Sequence, residues 1–155
     1  MKKIESFQVN HLNLFPGLYV SRKDCEGGVT VTTFDLRFTA PNRDKVMEIA
    51  GIHTLEHIGA TFLRNSAQAD KVVYFGPMGC RTGFYLVMFG DMESSDVYDL
   101  VVRMCDCVID FCGDIPGATP MECGNYADQD LSLAKTYAAA YKRELQQHKR
   151  LAYES

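Results

Sequence analysis

Two histidines four positions apart, with a glutamate directly before the second, constrain this chain more than any other feature: His53-Thr54-Leu55-Glu56-His57. In a helix, positions i, i+3 and i+4 share a face, so His53 and His57 can aim ring nitrogens at one ion while Glu56 stands beside it. A carboxylate in that position moves protons next to a metal-bound oxygen. Two imidazoles leave such a site incomplete, and a catalytic ion needs a third protein ligand plus an open position for substrate or water. The chain must therefore form a long helix and fold a distant segment onto it.

Glu122 and Cys123 are adjacent candidates for that third ligand. A glutamate would complete the inverted zincin pattern of some peptidases. A thiolate would make a softer His-His-Cys site able to hold Fe(II), Co(II) or Zn(II). Cys123 precedes Gly124-Asn125 in a loop free to fold onto the helix, and is the preferred ligand. A closed four-ligand site in a binding module is a third reading, disfavoured because no obvious fourth ligand is present. His148 falls on the C-terminal helix and reads as solvent-exposed.

The six cysteines differ in context. Cys105 and Cys112 fall on an apolar helical stripe with Val97, Leu100, Val101, Met104 and Val108 and read as buried small hydrophobes. Cys107 lies off that stripe and Cys25 in a Gly-rich loop. Cys80 sits in Gly76-Pro77-Met78-Gly79-Cys80-Arg81, where glycines permit close approach of backbone to a ligand. A thiol beside a guanidinium favours its thiolate form, which suits proton transfer or nucleophilic attack. A metal, a carboxylate and a separate thiol together suit proton movement at carbons next to a carbonyl.

Around these residues, strands are predicted at Leu18 to Arg22, Val29 to Thr39, Lys71 to Phe75 and Thr82 to Phe89. On the second, Phe34, Leu36 and Phe38 share one face, and Asp35 and Arg37 the other. Helices are predicted from the region of Gly51 to Asn65, from an N-cap at Ser94 or Ser95 to Cys112, and from Asp128 or Asp130 onward. The last buries Leu131, Ala134, Ala138, Tyr141 and Leu145. Strands followed by helices indicate an α+β fold over residues 1–155: two layers, a mostly antiparallel sheet with helices packed on one face, in a single catalytic domain.

A formal net charge of -4 argues against a nucleic-acid surface. Lys142, Arg143, Lys149 and Arg150 read as a solvated helix face. No apolar run approaches the roughly 20 residues that span a bilayer, and the N-terminus has no apolar signal core. The expectation is a cytoplasmic protein, with reduced thiols and no membrane partner.

Ser6-Phe7 with His11, Thr33-Phe34-Asp35-Leu36-Arg37-Phe38, His53-Thr54-Leu55-Glu56-His57, Pro77-Met78-Gly79-Cys80-Arg81-Thr82-Gly83-Phe84-Tyr85 and Glu122-Cys123-Gly124 occur in one order along residues 4 to 145. Together they resemble the S-ribosylhomocysteine lyase family, often called LuxS. The resemblance implies cleavage of S-ribosylhomocysteine to homocysteine and 4,5-dihydroxy-2,3-pentanedione, the autoinducer-2 precursor of quorum sensing, within the activated methyl cycle. It implies a homodimer with active sites at the subunit interface. It also implies Fe(II), one per subunit, on His53, His57 and Cys123, replaceable by zinc or cobalt. Cys80 and Glu56 would be the catalytic acid/base groups, acting in two carbonyl migrations and a β-elimination. Ser6, His11 and Arg37 match substrate-pocket positions. Asn10, Tyr74 and Gln129 depart from residues that many relatives carry, Asp, an acidic residue and His respectively.

Overall fold

A computed structural model describes residues 1–154. Strands β1 (Gly17–Glu26), β2 (Val29–Arg37), β3 (Val72–Pro77) and β4 (Gly83–Phe89) form one antiparallel sheet in the order β1-β2-β4-β3. Helices α1 (Ile49–Arg64), α2 (Ser94–Asp110) and α3 (Leu131–His148) pack against it, giving the expected α+β architecture. No helix among the described residues is long and apolar enough to cross a membrane.

Alternation along the strands sorts the sheet into two faces. Leu18, Phe34, Leu36, Phe75, Phe84, Leu86 and Met88 belong to the core shared with the helices. The register aligns Tyr19, Asp35 and Tyr85 in one row of the other face, with Thr33 opposite Val87 in the next. That outer face leaves Val29, Tyr74 and Phe89 exposed, yet Asp35 and Arg37 on it are only 2% and 3% exposed. The tail covers them: Tyr153 stacks on Tyr19 at 4.5 Å and its hydroxyl donates to Asp35 Oδ2 at 2.9 Å.

Several element ends differ from the sequence reading, each for a local reason. The first hairpin turns on Gly27 and Gly28 alone, both at positive φ, so β1 continues in register through Cys25 and Glu26. At the far end of β2, Phe38 and Thr39 both donate their N–H to the Thr82 carbonyl and leave the ladder. Helix α1 starts at Ile49, two residues before Gly51. A Cβ there would stand 2.7 Å from Leu133 and Tyr137, so the glycine lets α3 cross closely.

Helix α2 is capped by Glu93 with Asp96 in a reciprocal capping box rather than by Ser94 or Ser95; Ser94 Oγ is buried without a partner. The helix stops at Asp110, where Phe111 turns to extended backbone, so Cys112 lies beyond it and is exposed while Cys105 is buried. The apolar stripe thus ends one turn earlier than its periodicity suggests. Asp130 caps α3, accepting from the Leu133 N–H at 2.9 Å. Leu131 is half-buried at the rim, with Ala134, Ala138, Tyr141 and Leu145 fully inside.

Candidate functional site

His53 and His57 project from one face of α1 toward the loop between α2 and α3. Each ring is fixed from behind by that loop. His53 Nδ1 lies 2.8 Å from the Asp128 carbonyl and His57 Nδ1 2.7 Å from the Pro116 carbonyl. A carbonyl only accepts, so both Nδ1 atoms carry protons, and in the neutral rings it is Nε2 that offers a lone pair. Those two Nε2 atoms face each other at 2.9 Å, and Cys123 Sγ stands 3.4 Å from His53 Nε2. Ligand atoms of all three residues lie within 4.8 Å of one another.

This donor set fits a metal ion. Two unprotonated imidazole nitrogens and a sulfur converging at that range repel one another until a cation stands among them. The Asn125 N–H donates to Cys123 Sγ at 3.4 Å and fixes the direction of the sulfur. Glu122, the competing candidate, is exposed and accepts from Thr119 Oγ1 at 2.7 Å, turned to its own loop.

The loop's attachment to α1 is itself specific. The Asp130 N–H donates to Thr54 Oγ1, and Thr54 Oγ1 donates to Gln129 Oε1 at 2.7 Å. Gln129 Nε2 lies 3.2 Å from His53 Nδ1, directly behind a candidate ligand. At Gly117, φ is +71° and a Cβ would come 3.2 Å from His57 Nδ1, so glycine eases both the left-handed turn and the approach of the backbone to the ring. Glu56 lines a cleft of about 400 Å³ together with both histidines, Phe75, Pro116 and Gly117.

A second cluster sits elsewhere. Ser6, His11, Arg37, Cys80 and Tyr85 line a pocket of about 330 Å³ that opens on the face of the sheet away from the helices. The guanidinium in this pocket is Arg37 from β2. Arg81, the sequence neighbour of Cys80, takes a left-handed turn conformation and does not line it. Arg37 is held by Asp35 through Nε–Oδ1 at 3.0 Å and Nη2–Oδ2 at 2.6 Å. Burial alone would lower the Arg37 pKa, but the charge and hydrogen bonds of Asp35 outweigh it and the net shift is upward. Cys80 is exposed, with Sγ 3.0 Å from Thr82 Oγ1.

The sequence motifs therefore assemble into two groups, His53, His57, Cys123 and Glu56 in one, and Cys80, Arg37, Ser6 and His11 in the other. The two cavities share no lining residue. Sequence reasoning missed the carbonyls of Pro116 and Asp128, Gly117 and Thr82. Nothing local ties Pro116 to an imidazole 59 positions away.

A model of the family described as S-Ribosylhomocysteinase (LuxS) matches residues 4–151. Similar curated proteins are called S-ribosylhomocysteine lyase. One from Finegoldia magna is 55% identical over 141 residues, covering 91% of this chain and 90% of that protein. One from Clostridium acetobutylicum is 54% identical over 142 residues, again 91% and 90% of the two chains. One from Phocaeicola vulgatus is 50% identical over 149 residues, 96% and 92% of the two. With a match that runs through both clusters, the chain belongs to the S-ribosylhomocysteinase (LuxS) family.

Proposed function

We propose that this protein is a metal-dependent lyase that cleaves S-ribosylhomocysteine to homocysteine and 4,5-dihydroxy-2,3-pentanedione, the autoinducer-2 precursor. The observation that carries the reading is the pairing of a three-donor cluster, His53, His57 and Cys123, with a separate exposed thiol, Cys80, in a chain of this family. His53, His57 and Cys123 would hold the ion, Fe(II) in this reading, with zinc or cobalt as substitutes. When bound, the ion supplies Lewis acidity that polarises a carbonyl oxygen of the sugar.

Cys80 and Glu56 then move the protons. On the open-chain sugar, Cys80 removes a proton from carbon 2 and returns one to carbon 1, which carries the carbonyl from carbon 1 to carbon 2. The same exchange one carbon further gives the 3-ketone, with Glu56 assisting as base in both rounds. Glu56 next takes the proton from carbon 4. The bond between carbon 5 and sulfur breaks, the electron pair leaves with sulfur, and protonated homocysteine departs. The enol left at carbon 4 tautomerises to the diketone. Ser6, His11 and Arg37 supply polar contacts to the substrate in the Cys80 pocket.

The same geometry supports a homodimer. The Cys80 pocket is lined by Arg37 and Tyr85 of the outer sheet face and the cleft of Glu56 by α1 and the core-facing Phe75, with no residue in common, which favours a substrate that meets the thiol of one copy and the metal cluster of another. Exposed Val29, Tyr74 and Phe89 on the outer face offer apolar surface for that second copy. The chemistry needs Cys80 and Cys123 kept out of disulfides, which fits the reducing cytoplasm, and residues 1–155 act as one catalytic domain.

The test is release of free thiol when iron- or cobalt-loaded protein meets S-ribosylhomocysteine under anaerobic conditions. The reading expects homocysteine and the diketone in equal amounts; loaded protein that releases none sinks it. In Cys80→Ala and Glu56→Gln, metal content is retained while turnover falls by about a thousandfold.

A further inference from the structure

We propose that Thr82 is the positioning donor for Cys80, its hydroxyl proton directed onto Sγ by a buried chain of side chains that begins at Tyr153. The inference rests on the reading of Cys80 as the proton-transferring thiol, and gives that thiol a partner.

The direction of each bond follows from what each group can do. Arg37 Nη1 lies 2.7 Å from Thr82 Oγ1. A guanidinium has donors and no acceptor, so Thr82 accepts there. Its single hydroxyl proton is left for the other near atom, Cys80 Sγ, at 3.0 Å. Donation to the charged form of an acid stabilises that form, so the proton favours the thiolate. Thr82 has little freedom to turn away: it is 4% exposed, and its carbonyl accepts the N–H groups of both Phe38 and Thr39.

The chain behind Thr82 is equally determined. Asp35 grips Arg37 by Nε and Nη2, which leaves Nη1 as the arm that reaches Thr82. Asp35 Oδ2 also accepts from the Tyr153 hydroxyl, and the Tyr153 ring is seated on Tyr19. Burial and the Asp35 carboxylate both raise the Tyr153 pKa, so the phenol keeps its proton as a donor. Tyr153 lies beyond residues 4–151, the part of the chain that matches the family.

Other titratable groups face the same pocket. His11 comes from the N-terminal segment and Tyr85 from β4. The Tyr85 pKa is raised, by burial first and by Asp35 next, so it stays neutral. Arg37 is cationic throughout and acts on Cys80 through its charge as well as through Thr82. A test must therefore separate the hydroxyl from the guanidinium: substitution at Thr82 removes the hydroxyl and one partner of Arg37 but leaves the guanidinium gripped by Asp35 through Nε and Nη2.

The experiment is the pH dependence of Cys80 alkylation by iodoacetamide, read by mass spectrometry of the peptide carrying Cys80. It compares the intact protein with Thr82→Val, Thr82→Ser and Tyr153→Phe. In Thr82→Val the pH of half-maximal alkylation rate rises by about one unit, the tenfold change in thiolate fraction that one charge-assisted hydrogen bond supplies. Thr82→Ser, which keeps the hydroxyl, returns it to the wild-type position, and Tyr153→Phe raises it by less than Thr82→Val. A Thr82→Val profile that superimposes on wild type, or a Thr82→Ser profile that stays with Val, overturns the proposal. If Thr82→Val does not fold, Tyr153→Phe decides: an upward shift supports the relay and an unshifted profile overturns it. Alkylation needs neither substrate nor metal. A failed relay thus leaves thiol release from S-ribosylhomocysteine intact, and a failed lyase reading leaves the alkylation profiles unchanged.

Discussion

The metal corner and the thiol corner solve the same problem, holding a reactive group still, by different means. At the metal corner the fixing atoms are backbone: the Pro116 and Asp128 carbonyls hold the two imidazoles, and the Asn125 N–H meets the Cys123 sulfur. At the thiol corner they are side chains, Tyr153, Asp35, Arg37 and Thr82, linked in series across the outer face of the sheet. Helix and loop backbone can reach a ligand only where chain path allows. A sheet face instead offers rows of side chains at fixed spacing that can be joined into a relay. The difference teaches where each corner is vulnerable. Single side-chain changes should damage the thiol corner, and changes that move the loop should damage the metal corner.

The sharpest break in the comparison is whether one substrate uses both corners of one chain or one corner from each of two chains. Cys80→Ala has its metal corner intact, and His57→Ala has its thiol corner intact; each alone is inactive. If the chain pairs as proposed, mixing the two in equal amounts and allowing subunits to exchange makes half of the dimers hybrids with one complete site of two, so roughly a quarter of wild-type turnover returns. No recovery, with subunit exchange verified by mass, would mean that both corners act within one chain.

Next in size is Asp35→Asn. Arg37 is 3% exposed, and without the carboxylate its charge is buried beside a neutral amide. Removing one partner of a buried pair costs about 3 kcal/mol or more, so urea denaturation should show a loss of that order. Metal content should be unaffected, because the cluster at His53 touches none of these residues. A variant with wild-type stability would show that Arg37 finds water or another acceptor.

What the sequence disclosed about these corners follows the range of the interactions. The helix face of His53, Glu56 and His57 is set by a four-residue spacing, so it was legible in full, as was the alternation that places Phe34 and Leu36 against Asp35 and Arg37. Cys123 was legible as a loop cysteine without an apolar neighbour pattern, and it reaches His53 as that context suggested. Cys112 misled, because helical periodicity says which residues share a stripe but not where the helix stops. Glu93 was overlooked as a cap because two serines next to it offered the commoner signal. The division of the motifs between two faces of the sheet depended on strand register, and the reach of Tyr153 to Asp35 spans 118 positions. Neither leaves a trace in local pattern.

The smallest effect sharpens the comparison from the metal side. Gly117 sits at φ +71° with room for no Cβ nearer than 3.2 Å to His57 Nδ1. Gly117→Ala meets two modest obstacles, a left-handed backbone that alanine disfavours and a contact the ring must yield to by a few tenths of an ångström. The expected loss of stability is about 1 kcal/mol. The larger consequence is indirect. If the loop backs away, the Pro116 carbonyl no longer orients His57, and such outer partners of a ligand are worth about tenfold or more in metal affinity. Competition with a chelator should therefore show the variant releasing its ion about tenfold more readily, while the alkylation profile of Cys80 stays at its wild-type position. A weakened metal corner with an unmoved thiol is the signature of two independently built halves. A shift in both would mean that the loop and the outer face of the sheet are coupled through the core between them.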